Sequence, residues 1–280
     1  WLAALGSPHS RRNFKATAER FLVELGRQGL DLRSATIEDV RDAILAMAPR
    51  SQASTVRQHT LRVKSLLSYA HKLGYTLFNA GAAIRPPKEV RNLAKRIVGE
   101  LDVRDLIRSS RTARDHLLQM LAYSGALRVS ELSGLNCDDV IVRGDGRVQV
   151  HVLGKGQKER DILLPDQVGR QLAAWCGGRQ PDQAVFLTHR GARRLGVRDI
   201  HRVVKRSAKR AGLTPKLSPH WLRHAHCSHA LYRGAKLPEV QATAGHANAS
   251  TTSGYLHAMP DTSSADSLNP EVWASDRKPD

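Results

Sequence analysis

The sequence predicts a mainly α protein of two domains, the second carrying a small antiparallel β-sheet. Three observations point there. Apolar residues recur at helical spacing through most of the 280 residues. One stretch, Arg147–Leu153, alternates apolar and polar residues between glycine turns, as half-buried strands do. Between Asn79 and Lys95 neither period survives, and Gly81, Pro86 and Pro87 break the chain, so a linker is expected there. The length gives each domain enough chain to bury a core.

The first helix is announced by Ser7-Pro8, a capping residue followed by proline at the first helical position. Phe14, Ala18, Phe21, Leu22 and Leu25 then share one face, with Arg11, Arg12, Lys15 and Arg20 over the remaining surface. Thr36-Ile37-Glu38-Asp39 starts a second helix, with carboxylates in its first turn, running to about Ala48. A third begins after Ser51, carries Val56, Val63, Leu66, Leu67 and Ala70, and stops at Gly74; its other side shows Arg57, His59, Arg62 and Lys64. Beyond the linker, helical patterns occupy about 101–108 and 111–123. Strands follow over 139–143, 147–153 and 160–164, joined by turns at Gly144-Asp145-Gly146 and Gly154–Lys158. Helices are expected again over about 166–175, 197–211 and 219–232, the last behind a second Ser-Pro start.

Lys and Arg number 44 against 26 Asp and Glu, a net charge of +18. The surplus is spread along the chain, with sixteen basic and seven acidic residues up to Lys95. A globular protein this basic throughout meets a polyanion, and nucleic acid is the usual one. Cys137, Cys176 and Cys227 are widely spaced without a C-x-x-C, which fits buried thiols in a reducing compartment better than a disulfide frame or a zinc site. No apolar run approaches the ~18–20 residues that span a bilayer. The expected location is cytoplasmic.

The chemistry is carried by residues scattered through the second half: Arg128 in Gly125-Ala126-Leu127-Arg128-Val129-Ser130-Glu131-Leu132, Lys155 in Gly154-Lys155-Gly156, His220-Trp221-Leu222-Arg223, Gly245-His246 and Tyr255. Arginine donates a planar, permanently charged fork to phosphate oxygens, so two of them can grip both non-bridging oxygens of a phosphodiester. A phenol can attack phosphorus, and a lysine on a turn can protonate the leaving oxygen when neighbouring charges lower its pKa. His220 and Arg223, three apart, share a helix face. The run His220, His224, His226, Cys227, His229 also resembles a zinc ligand set, but no second cluster with ligand spacing accompanies it.

Read in order, these residues make the chain similar to tyrosine recombinases of the phage-integrase and Xer type over nearly its whole length. The resemblance implies a SAM-like helical core-binding DNA-binding domain at 1–78, a basic linker at 79–96, an α+β catalytic domain at 97–257 and a tail at 258–280. It implies a site-specific recombinase or integrase that cuts and rejoins DNA through a 3′-phosphotyrosyl link and a Holliday junction. Arg128, Lys155, His220, Arg223, His246 and Tyr255 would be catalytic, with Glu131 steadying the site. No metal, ATP or other cofactor is implied. Tyr255 would be the nucleophile and Lys155, rather than Lys158, the acid; the division of proton handling between the histidines stays open. The partners implied are duplex DNA with inverted-repeat core sites, a homotetramer on two such sites, and an accessory DNA-bending protein or second recombinase. A topoisomerase of type IB chemistry and a non-catalytic DNA-binding protein on the same fold are the alternatives.

The tail departs from the family pattern. Pro260 and Pro270 with several Ser and Asp residues oppose a long docking helix, and acidic residues outnumber basic ones five to two from Ala258 onward. Leu268, Val272 and Trp273 remain as anchors for a short segment. This tail tilts the reading toward a mobile-element integrase rather than chromosome-dimer resolution.

Overall fold

The computed structural model describes residues 1–88, 93, 96–154, 156–189, 193–246 and 248–255. The chain divides into two compact units, Trp1–Arg91 and Asn92–Asp280.

In the first unit, α1 (Pro8–Arg27) starts where Ser7 Oγ accepts the Ser10 N–H at 3.1 Å, with Pro8 at a position whose missing N–H needs no partner. α2 (Ile37–Ala46) opens with a reciprocal capping box between Thr36 and Asp39 and stops two residues short of the expected Ala48. α3 (Ala53–Lys72) completes the bundle. Phe21 and Leu25 of α1, Val40 and Ile44 of α2, and Val63 and Leu67 of α3 form one core, into which Ala80 and Ile84 also pack. The cations of α3 are largely tied inward. Arg57 donates to the Pro87 carbonyl, Arg62 to Thr17 Oγ1, and Lys64 to the carbonyls of Ala82 and Ile84, while His59 is buried. The basic face expected on α3 is therefore mostly a set of struts. On α1, Arg11, Arg12, Lys15 and Arg20 are exposed, as its pattern predicts.

In the second unit, α4 (Glu100–Arg108), α5 (Ala113–Ser124) and the short α6 (Val129–Gly134) lead into an antiparallel meander of β1 (Val140–Val142), β2 (Val148–Leu153) and β3 (Glu159–Leu163). Val150 stands opposite Val140 on one side and Ile162 on the other. Val148, Val150 and Val152 are buried while the residues between them are not, the period expected of this strand. α7 (Asp166–Cys176) covers the sheet at Gly169, where a Cβ would come within 2.8 Å of the Val148 Cβ; only glycine permits that approach. α8 (Val197–Arg210) and α9 (Pro219–Tyr232) close the core, Val204 and Leu222 meeting Leu118, Leu121 and Leu172. Ser218 precedes α9 as expected but, unlike Ser7, makes no side-chain capping bond. α10 (Leu237–Ala244) and α11 (Ala249–Ser253) come last. Among the described residues, no helix is long and apolar enough to cross a membrane.

Candidate active site

Arg128 does not lie inside a helix with Glu131. It is the residue before α6, in extended conformation, and Glu131 folds back to it. The Arg128 backbone N–H donates to Glu131 Oε2 at 2.8 Å and its Nη1 to Oε1 at 2.7 Å. Arg128 Nη2 reaches across to the Gly245 carbonyl at 2.8 Å, holding the turn that carries His246. Burial alone would raise the Glu131 pKa; the hydrogen bonds from Arg160 and Arg128 outweigh it and hold the carboxyl below its usual range.

Arg223 projects from α9 and is 2 % exposed. Its Nη1 donates to the Ala126 carbonyl at 2.7 Å. Ala126 has φ of 48°, the left-handed region that a residue with a Cβ seldom occupies, and it is fully buried. The strained Gly125-Ala126-Leu127 turn thus aims a carbonyl at the guanidinium. Burial and the nearby Arg128 bring Arg223 down to about 10, so it is still charged at neutral pH. Among the described residues its other donors meet no hydrogen-bond acceptor, which suits them to a ligand.

His220 stands one turn before Arg223's neighbour His224, with ring centroids 4.3 Å apart. α10 ends at Gly245, whose φ of 62° turns the chain back; a Cβ there would also press on the Arg160 guanidinium at 3.1 Å. His246 follows, its Nδ1 2.8 Å from Thr252 Oγ1 on α11. Tyr255, just past α11, lies with its ring parallel to that of His246 at 6.2 Å between centroids. Its ring is seated among Ala126, Cys227, Val240 and Ala244, and its Oη is 2.5 Å from His224 Nδ1. Burial lowers His246 to about 4 and pushes Tyr255 well up from 10.0. His220 is lowered by desolvation and then by Arg223, Arg96 and Arg128.

A cavity of about 620 Å³ opens beside these groups, lined by Arg128, Lys158, Arg160, Gln241, Gly245 and His246 among others. Three cations, Arg128, Lys158 and Arg160, stand in its wall together with Glu159. The ends of the expected β2–β3 turn border it, with the Gly154 N–H bonded to the Lys158 carbonyl at 2.7 Å. Lys155 itself lies outside the described residues, as does the tail with Leu268, Val272 and Trp273.

The model of the phage integrase family matches residues 94–261. Tyrosine recombinase XerC of Corynebacterium glutamicum is 32% identical over 82% of this chain and 79% of its own length. The chain belongs to the phage integrase family of tyrosine recombinases. The XerC of Mycobacterium bovis is 31% identical over 90% of this chain and 88% of that protein. A crystal structure of a lambda integrase (75-356) dimer bound to a COC′ core site shares the fold, with a TM-score of 0.72 at 17% identity over 93% of each chain. The protein is a site-specific tyrosine recombinase, and the mainly α architecture with a three-stranded sheet is the one shared with these relatives.

Three residues of this recombinase's site escaped the sequence reading. Arg160 forks onto Glu131 at 3.0 and 2.8 Å and donates through Nε to the Thr243 carbonyl, joining β3 to α6 and α10. Its signal was present: an arginine placed inward on a strand needs a buried anion. Thr252 and His224 carried no such signal, because their partners lie six and 31 residues away across turns that spacing does not resolve.

Proposed function

We propose that this recombinase cleaves one DNA strand by attack of Tyr255 on a phosphodiester held by Arg128 and Arg223, leaving a 3′-phosphotyrosyl link and a free 5′ hydroxyl. The observation that carries the proposal is convergence: α6, α9, the α10–α11 turn and the end of α11 bring Arg128, His220, Arg223, His246 and Tyr255 to one place beside a basic cavity. The two guanidinium forks meet the charge that grows on the non-bridging oxygens in the pentacoordinate state, preorganised by Glu131 and by the Ala126 carbonyl. His220 and His246, neutral in the unliganded site, donate N–H groups to the same oxygens. Lys155 on the β2–β3 turn supplies the proton to the departing 5′ oxygen. The phosphotyrosyl ester conserves the energy of the broken bond, so rejoining needs no ATP.

Two rounds of exchange between duplexes then pass through a Holliday junction, in a homotetramer on two sites with inverted-repeat cores. The domains at 1–78 and 97–257 each contact the duplex, with the exposed cations of α1 on phosphates. Affinity then falls steeply with salt, as each neutralised phosphate releases counterions. The element served is mobile.

Covalent capture tests this. Wild type and Tyr255→Phe are incubated with host and element DNA in EDTA and denatured, and the attached fragments are sequenced. Wild type alone should recover discrete inverted-repeat sites, at element ends for a mobile element and at one chromosomal locus for dimer resolution. Capture by Tyr255→Phe would remove Tyr255 from the role. Scattered sites would indicate topoisomerase-like relaxation. Arg223→Ala should slow capture by about 10²–10³-fold or more, the scale of a lost oxyanion donor.

A further inference from the structure

His224 is a buried side chain that the phosphate clamp leaves unused. Its Nδ1 lies 2.5 Å from Tyr255 Oη, and its Nε2 is buried with no partner among the described residues. Both side chains are closed to solvent, at 8% and 4% exposure. A buried phenol raised above its ordinary pKa of 10.0 must shed its proton as it attacks. The groups around the His224 ring are His220 and Arg223 on its own helix, Arg96 before α4, His246 after α10, and Tyr255 itself, with Cys227 one turn along beside the phenol. No carboxylate is among them. Desolvation first, and then the neighbouring His220, Arg96, Arg223 and His246, bring His224 down to about 3, so the unliganded ring is neutral. With its hydrogen on Nε2, the ring presents a lone pair at Nδ1 to the phenolic O–H. A phosphodiester placed between Arg128 and Arg223 adds the negative charge that this surrounding lacks, and so favours a charged imidazolium.

We propose that His224 accepts the Tyr255 proton during cleavage, and that the bound phosphate makes it competent to do so. This rests on Tyr255 being the nucleophile. As Oη bonds to phosphorus, the Oη–H bond breaks and the proton passes to Nδ1. The P–O5′ bond breaks at the same time, and O5′ takes a proton from the general acid. Rejoining reverses each transfer: the incoming 5′ hydroxyl gives up its proton to that acid's base form, and the imidazolium returns its proton to Oη.

The test is single-turnover cleavage of a nicked duplex bearing a captured site, from about pH 6 to 9, by wild type, His224→Ala, His224→Gln and Tyr255→Phe. Gel-shift affinity for the same duplex reports folding. Both His224 variants should bind within a few-fold of wild type and cleave at least about 100-fold more slowly, within the range for general-base loss. Their rates should climb with pH where wild type is flat, and added imidazole should restore His224→Ala. The glutamine variant can orient the phenol but cannot take its proton. Wild-type cleavage by it, or an unchanged pH profile in both variants, overturns the proposal. An adduct from Tyr255→Phe, or none from wild type, would instead break the assignment of Tyr255, and the role of His224 with it.

Discussion

On one side of the site a single carboxylate organises the cations. Arg128 and Arg160 both bond to Glu131, and each also reaches a carbonyl beside α10, Gly245 and Thr243 respectively. On the other side, His220, His224 and His246 gather around Tyr255, and among the described residues no carboxylate is bonded to any of them. The arginine side is complete before a ligand arrives: its hydrogen bonds are made and its geometry is fixed by three elements. The histidine side is held neutral by burial and by positive neighbours. It is short of one negative charge, which a phosphodiester brings. Rigid charge on one wall and titratable groups on the other suit a reaction in which charge builds on phosphate oxygens while protons move along the axis of attack.

The comparison breaks most severely at Glu131. Its side chain is 3% exposed and that of Arg160 12%, so Glu131→Ala strands a nearly buried guanidinium. Removing one partner of a buried pair costs about 3–5 kcal/mol, far more than the pair contributes in net terms. Urea melts should show that loss, and covalent capture should fall with it because Arg128 also loses its anchor. Glu131→Gln retains the shape and one acceptor, and should fall between the two. A melt unchanged by Glu131→Ala would mean that the arginine side holds itself.

Acid separates the two sides without mutation. Glu131 has its folded pKa below the ordinary 4.5, so its contribution is present above about that pH and is lost as pH falls through the lower folded value. The site histidines have folded values below the ordinary 6.5, with His246 at about 4 and His224 at about 3. The unfolded chain therefore binds more protons below pH 6.5, and stability should decline from there toward about 3, with the Glu131 contribution also starting to go below the ordinary 4.5. Melting temperature should begin to fall between pH 6.5 and 4.5, where the histidines act alone, and fall more steeply below 4.5. Because a bound phosphate favours the imidazolium forms, saturating duplex should shrink the upper part of the fall, leaving the share of histidines outside the site such as His226, which burial lowers to about 4. No fall above pH 4.5 would contradict the neutral-histidine side.

A smaller break lies at Thr252, fully buried, whose Oγ1 orients His246. Thr252→Val keeps the volume and removes the bond, so about 1 kcal/mol of stability should go. The informative readout is cleavage: a several-fold slower rate at unchanged duplex affinity places the bond in the orientation of His246. Lower affinity without a slower step would make it a packing contact.

The asymmetry of the site also explains what could be read from sequence. The arginines, the His-x-x-Arg pair, Gly-His and Tyr255 sit in short local motifs, and the structure gathers all the described ones. Phe21, Val63, Val150 and Leu222 are core residues on faces that simple periodicity defines. A short element was missed: α11, of five residues, completes less than two turns and shows no period. Likewise, Arg57, Arg62 and Lys64 read as a solvated basic face because nothing local reveals that carbonyls from residues 82–87 return to meet two of them. Arg160 and His224 were lost for the same reason, since their roles exist only across chain separations of 29 and 31 residues.

A fourth histidine, outside the site, offers the sharpest control on the comparison, although its effect is the smallest. His151 on β2 faces Asp161 directly across the ladder on β3, with Nδ1 3.0 Å from the carboxylate. Here a carboxylate is present, and the shift reverses: the hydrogen bond that His151 Nδ1–H donates to Asp161 raises His151 above 6.5. Its contribution is fully present below the unfolded pKa of about 6.5 and is lost as pH rises through the folded value, the opposite direction to the site histidines. The side chains are 36% and 55% exposed, so solvent screening keeps the pair near the low end of about 0.2–1 kcal/mol. His151→Ala should therefore lower the melting temperature slightly at pH 5.5 and not at pH 8.5, with covalent capture unchanged. A loss of capture would mean that the exposed β2–β3 ladder takes part in DNA engagement, and that a carboxylate-paired histidine belongs to the site as well.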